Sequence, residues 1–151
     1  MRLNLPDCEL NIKKTSKGIV VYDILRKKTV ALTPEEWVRQ HFVHYLINEK
    51  QFPMELMGNE MSLVQNGIKR RCDTVVADRE GKPLVIIEYK APTVEITQST
   101  FDQIVRYNMV LRAKCLMVSN GMSHYCCLID YSNNSYTFLP EVPLYSTLAN
   151  G

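Results

Sequence analysis

With 151 residues and 46% apolar content, the chain has the size and composition of one ordinary packed domain. It contains no run of about 18 apolar residues, so no membrane-spanning helix is expected, and residues 1–7 lack the apolar core and cleavage site of a secretory leader. The net charge of +2 does not by itself mark a nucleic-acid binder; the five cysteines, odd in number and without a C-x-x-C pair, suggest neither a disulfide framework nor a zinc site, so reduced thiols in a cytoplasmic protein are expected.

In chain order, Leu10-Asn11-Ile12-Lys13 and Ile19 to Ile24 flank the turn-like Thr15-Ser16-Lys17-Gly18, which predicts a hairpin, and Thr29 to Leu32 adds a short strand. Thr33-Pro34-Glu35-Glu36 is a helix start, with a Thr cap, Pro at the first helical position and acids facing the positive end of the dipole. The helix is expected to run to about Lys50, with Val38, Phe42, Tyr45 and Leu46 on one stripe. A strand around Leu56 to Val64 and a turn at Gln65-Asn66-Gly67 follow. Next come strands Arg70 to Ala77 and Leu84 to Lys90, separated by Asp78-Arg79-Glu80-Gly81-Lys82-Pro83. Ala91-Pro92 stops the second of these. A helix is expected from Thr97 to about Arg112, with Phe101, Ile104, Val105 and Leu111 at helical spacing, then a buried-type strand Cys115 to Ser119 ended by Asn120-Gly121. Two short strands, Tyr125 to Asp130 and Ser135 to Leu139, complete the chain. The expected fold is a mixed α/β single domain over 1–151, with helices on a central sheet. Residues 1–32 form a hairpin annex, 33–121 the core, and 122–151 the C-terminal strands and tail.

One strand ends in chemistry. Alternation puts Leu84, Ile86, Glu88 and Lys90 on one face and Val85, Ile87 and Tyr89 on the other. A carboxylate and an ammonium thus emerge together from an otherwise apolar strand, a placement that is costly unless the charges are paired or hold a metal. The preceding strand brings Asp73. Two carboxylates suit Mg²⁺, which keeps several waters and takes few protein oxygens. Asp73 and Glu88 are the candidate ligands, and the backbone carbonyl of Tyr89 is a third. Lys90 is placed to orient water or stabilise charge on a pentavalent phosphate. Among the basic runs, Lys69-Arg70-Arg71 stands out as a candidate DNA contact, because it leads directly into the strand bearing Asp73. His41 and His44 lack a third ligand nearby and read as ordinary histidines.

The set Cys72-Asp73 … Glu88-Tyr89-Lys90 resembles the PD-(D/E)xK, or restriction-endonuclease-like, nucleases, with Cys72 where that family loosely keeps a proline. A closer resemblance is to the N-terminal nuclease domain of type I restriction enzyme R subunits. Thr33-Pro34-Glu35-Glu36-Trp37-Val38-Arg39-Gln40, Arg71-x-Asp73, Ile87-Glu88-Tyr89-Lys90-Ala91-Pro92, Gln103-x-x-x-Tyr107-Asn108 and Ser119-Asn120-Gly121 are similar to its successive motifs, in the same order. The resemblance implies an αβββαβ core and Mg²⁺-dependent DNA cleavage, with Mn²⁺ as a substitute. It also implies an acid from the first helix beside the metal. Glu36 is preferred over Glu35 for that place, and Glu60 is a further candidate. It places Gln103 toward phosphate or the nucleophilic water, with Tyr107 orienting it. No G-x-x-x-x-G-K-[ST] loop is present, so the reading is a stand-alone endonuclease domain acting on DNA, as a homodimer or with restriction or motor subunits on separate chains. The competing readings are a non-catalytic DNA-binding or protein-interaction module on the same fold, and a structure-specific resolvase.

Overall fold

A computed structural model describes all 151 residues. The N-terminal strands β1 (Ile12–Thr15), β2 (Gly18–Asp23) and β3 (Lys28–Ala31) form a three-stranded antiparallel sheet in the order β1-β2-β3. Most of this annex is exposed. Val21 and Asp23 are the buried members of its strands, and they tie it to the rest of the chain.

Helix α1 spans Pro34–Glu49, and the Thr33 hydroxyl accepts the Glu36 N–H at 3.1 Å, as its cap sequence predicts. Its buried face is wider than the apolar stripe. Glu36, Arg39, Gln40 and His41 are buried alongside Val38, Phe42, Val43 and Leu46.

The main sheet has six strands in the order β4-β5-β6-β7-β8-β9: Met57–Gln65, Ile68–Ala77, Pro83–Tyr89, Cys115–Ser119, His124–Asp130 and Ser135–Phe138. All pairs are antiparallel except β6 with β7. A parallel pair needs a crossover, and α2 (Gln98–Asn108) supplies it. The two faces of β6 feed two cores. Val85, Ile87 and Tyr89 pack with Val38, Phe42 and Leu46 of α1, while Ile86 packs with Phe101, Ile104 and Val105 of α2. Leu84 belongs to the α1 side, against the expected alternation, at the end of β6 next to the register shift at Val76/Ala77. The α-β-β-β-α-β order is therefore a mixed sheet covered by one helix on each face.

Two elements differ from expectation. Helix α2 gives way after Asn108 to a tighter turn, Met109–Leu111, closed by Arg112 at φ +61°. The C-terminal tail contains a short helix, α3 (Tyr145–Asn150), which buries Tyr145 and Leu148 and whose Tyr145 hydroxyl donates to the Ala77 carbonyl at 3.0 Å. Six residues with two buried positions carry too little periodicity to announce a helix. All five cysteines are unpaired; burial pushes the Cys72 thiol up to about 11 and the Cys127 thiol up to about 12.

Gly121 closes the turn after β7 at φ +86°, and an added Cβ would lie 2.7 Å from Leu3 Cδ2. Gly121→Ala is expected to cost about 1–3 kcal/mol through strain and overpacking. A shift of the urea midpoint with unchanged slope would register it, and an unchanged midpoint would show that the Leu3 segment yields freely.

Candidate active site

The site forms where β5 and β6 part. Their paired rungs end at Thr74–Ile87, so the next residues, Asp73 and Glu88, sit at the mouth of an opening ladder. Asp73 fills the gap with its side chain: its Oδ2 accepts the Tyr89 N–H at 2.9 Å. On the other side of β6, the Lys90 N–H donates to the Ser119 carbonyl at 2.9 Å, which prolongs the β6–β7 pairing past the last strand residue. The Lys90 Nζ lies 3.4 Å from Glu88 Oε2. Within a strand a residue's N–H and C=O point to the same side, so the Tyr89 carbonyl faces the opening as its N–H does. Asp73, Glu88, Tyr89 and Lys90 line one open cleft of about 460 Å³, completed by Thr33, Glu35, Arg39 and Glu60.

Burial pushes both carboxyls above the usual range. For Asp73 the Tyr89 N–H, Arg39 and Lys90 oppose that rise without cancelling it, and Glu60 adds to it. For Glu88 desolvation leads, Lys90 opposes it, and Asp73 adds repulsion. Two partly desolvated, mutually repelling carboxylates in an open cleft form a donor set that a hard cation would relieve. No group of three or more His, Cys, Asp or Glu side chains is assembled. That does not suit a closed zinc cage, but it fits Mg²⁺, which binds through one or two carboxylates and keeps its waters.

The first-helix acid is corrected. Glu36, the preferred candidate, is buried and does not line the cleft. Its Oε1 accepts from Arg26 Nη2 at 2.6 Å and Arg39 Nη2 at 3.0 Å, and its Oε2 from Arg39 Nε at 3.0 Å and Gln40 Nε2 at 2.9 Å. Burial alone would raise its pKa, but Arg39, Gln40 and Arg26 together hold it below the usual range. Its oxygens are committed to cations already within the protein. Glu35, one residue earlier and exposed, lines the cleft instead. Glu60 also lines it, but is held by Arg39 at 2.8 Å and Arg71 at 2.9 Å.

Gln103 and Tyr107 share a face of α2, as their spacing requires, but that face is exposed and neither side chain lines the cleft. Phe101, Ile104, Val105 and Asn108 form the buried stripe. At about 100° per residue, Gln103 and Tyr107 fall on the opposite side of the helix. The expectation that the pair turns from solvent toward the catalytic edge is thus corrected. Tyr107 instead supports Arg70, whose guanidinium lies 4.2 Å over its ring and whose Nε donates to the Tyr107 carbonyl at 2.8 Å. Lys69 and Arg71 are exposed.

Arg39 escaped the sequence reading. It donates to the Asp73 carbonyl at 2.8 Å while holding Glu36 and Glu60, and its guanidinium lies 5.8 Å from the centre of the Tyr89 ring. Its i, i+3 spacing from Glu36 was the available signal. Behind it, Asp23 pairs with Arg26 and accepts from Asn59 at 3.0 Å, and Asn59 accepts from the Thr74 hydroxyl at 2.6 Å. His41 is buried against the Trp37 ring.

A family model for the type I restriction enzyme R protein N terminus (HSDR_N) matches residues 34–143. Among solved structures, a fragment assigned as an HsdR subunit of a type I restriction enzyme from Vibrio vulnificus YJ016 aligns with a TM-score of 0.55 at 19% identity, over 79% of this chain and 25% of that one. The chain therefore spans about a quarter of the length of that relative, and the likeness at this identity is one of fold. No curated protein matches the chain.

Proposed function

The chain belongs to the family of type I restriction enzyme R protein N termini, and from that premise we propose that it is a metal-dependent endodeoxyribonuclease of the PD-(D/E)xK kind, cutting DNA phosphodiesters in a restriction system. The observation that supports this most directly is the convergence of Asp73, Glu88, Tyr89 and Lys90 on one open cleft at the mouth of the β5–β6 ladder. Asp73, Glu88 and the Tyr89 carbonyl would hold Mg²⁺, with Glu35 as the adjoining acid. The bound ion would act as a Lewis acid on the phosphate and lower the pKa of a bound water.

The residues of the chain supply the rest. Asp73 is held by the Tyr89 N–H and, through its carbonyl, by Arg39, so its free oxygen is presented without reorganisation. Lys90, partly exposed beside Glu88, stabilises the negative charge that builds on the phosphate as water adds and the P–O3′ bond breaks. The attacking water gives up a proton to solvent, and the departing 3′ oxygen takes one from solvent. On the outer side of α2, Gln103 and Tyr107 are assigned no part in the bond-breaking step. No helix is long and apolar enough to cross a membrane, and the proposed DNA substrate would be met in the cytoplasm.

Purified protein is expected to nick or cut plasmid DNA with Mg²⁺ or Mn²⁺ and to stop on addition of EDTA. Lys90→Ala should lower the rate by about 10²- to 10³-fold, the usual cost of one lost electrostatic contact, with an unchanged circular-dichroism melt. Absence of cutting on supercoiled, linear, branched and single-stranded DNA alike would leave the fold as a binding module.

A further inference from the structure

The pairing of β5 with β6 ends at Thr74–Ile87, but its pairing with β4 continues outward to Gln65–Ile68. The five rungs from Met61–Cys72 to Gln65–Ile68 therefore form a two-stranded ribbon with no third strand beside it. At about 3.4 Å per residue it is about 17 Å long. Its tip is Asn66-Gly67, both at positive φ (50° and 77°), the tight hairpin turn that fixes register.

The ribbon has one anchored face and one free face. On the first, Cys72 and Leu63 join the core beneath α2, and Arg70 is clamped on Tyr107 through its ring and its carbonyl. Alternation sends Ser62, Val64, Lys69 and Arg71 to the other face, where all four are exposed. That face runs into the cleft: Arg71 reaches Glu60, a wall residue, at 2.9 Å while its side chain stays 69% exposed.

We propose that this ribbon is the arm that seats duplex DNA at the cleft, with its free face in the major groove and Lys69 and Arg71 against phosphates. The major groove is about 12 Å wide and admits a two-stranded ribbon, and exposed Val64 and Ser62 are suited to base edges. Single-stranded DNA is favoured by exposed aromatic rings for base stacking. The free face has none; Tyr107 lies on the anchored side, with the Arg70 guanidinium stacked over its ring. The inference rests on the nuclease reading for DNA as the substrate, and it specifies the duplex form.

Binding of a fluorescein-labelled duplex, and of one of its strands alone, is followed by fluorescence anisotropy in EDTA, where cleavage plays no part. Lys69→Ala/Arg71→Ala is expected to bind the duplex about tenfold more weakly or worse. It should also flatten the plot of log affinity against log salt by about 1.8, two contacts at about 0.9 each. Lys69→Arg/Arg71→Lys should bind as wild type does. Both side chains are exposed, and a circular-dichroism melt confirms that each variant folds. Wild-type affinity and slope in the alanine double variant overturn the proposal, as does preference for the single strand or no duplex binding by the wild type. A chain that binds duplex through the ribbon yet cuts nothing in Mn²⁺ overturns the nuclease reading alone. A chain that cuts DNA and whose alanine double variant binds as tightly as wild type overturns the ribbon alone.

Discussion

Asp73→Asn is expected to abolish cleavage and, in EDTA at neutral pH, to melt at a higher temperature than the wild type. The two effects share one cause. Asparagine keeps an acceptor for the Tyr89 N–H, so the local geometry persists, but it gives up the charged oxygen that would bind the cation. Loss of at least about a thousandfold in rate corresponds to about 4 kcal/mol of barrier. The stability gain follows from burial, which raises the Asp73 carboxyl above its ordinary range. A carboxyl whose folded pKa is raised favours the fold when protonated, and that contribution is lost as pH rises through the folded value. The Asn variant has no such loss. Its advantage should be full at neutral pH and shrink as the pH falls to where Asp73 is protonated in both states, below about 3.9. Divalent cation supplies a readout apart from activity. Mg²⁺ or Mn²⁺ at about 100 times its Kd should stabilise wild type by about 2.7 kcal/mol and the variant far less. Equal stabilisation of both proteins by Mn²⁺ would remove Asp73 from the metal site.

Arg39→Met should be the most destabilising single change in this part of the molecule, at about 3 kcal/mol or more. Removing one partner of a buried ion pair costs about 3–5 kcal/mol, because the other charge is left in low dielectric. Arg26 remains on Glu36 and places the effect toward the lower end. The loss should reach the candidate site as well, since Arg39 also holds the Asp73 carbonyl and Glu60. Lysine will not replace it, because an ammonium cannot reproduce the planar fork that serves Glu36, Glu60 and the carbonyl together. The pH dependence has the opposite sign to that of Asp73. Glu36 is held below the usual range, so its contribution is present above about pH 4.3 and lost as the pH falls through its lower folded value. Glu36→Gln should weaken that part of the acid limb. A variant at Arg39 that melts with the wild type would show that the network contributes little beyond what water offers.

Local patterning in the sequence was enough to place α1, the β4–β5–β6 meander, α2 and β7. Thr33-Pro34, Asn66-Gly67 and the alternation along Val85 to Tyr89 are signals carried within a few residues of chain. It was also enough to put Asp73, Glu88 and Lys90 at neighbouring strand ends, because a hairpin fixes which residues of its two arms can meet. The tertiary structure decided what partners each charge finds. Glu35 and Glu36 are adjacent first-turn acids that both have Arg39 within one helical turn; it is the packing of α1 on the N-terminal sheet that brings Arg26 onto Glu36, buries it with Arg39 and Gln40, and leaves Glu35 at the cleft. Gln103 and Tyr107 show the same division. Their spacing guarantees a common face, but the direction of that face is set by Phe101, Ile104 and Val105 docking on the sheet. Local sequence fixes geometry over one turn or one hairpin, whereas desolvation and ion pairing depend largely on residues distant in the chain, so the meeting of Asp73, Glu88 and Lys90 was legible and their electrostatics were not.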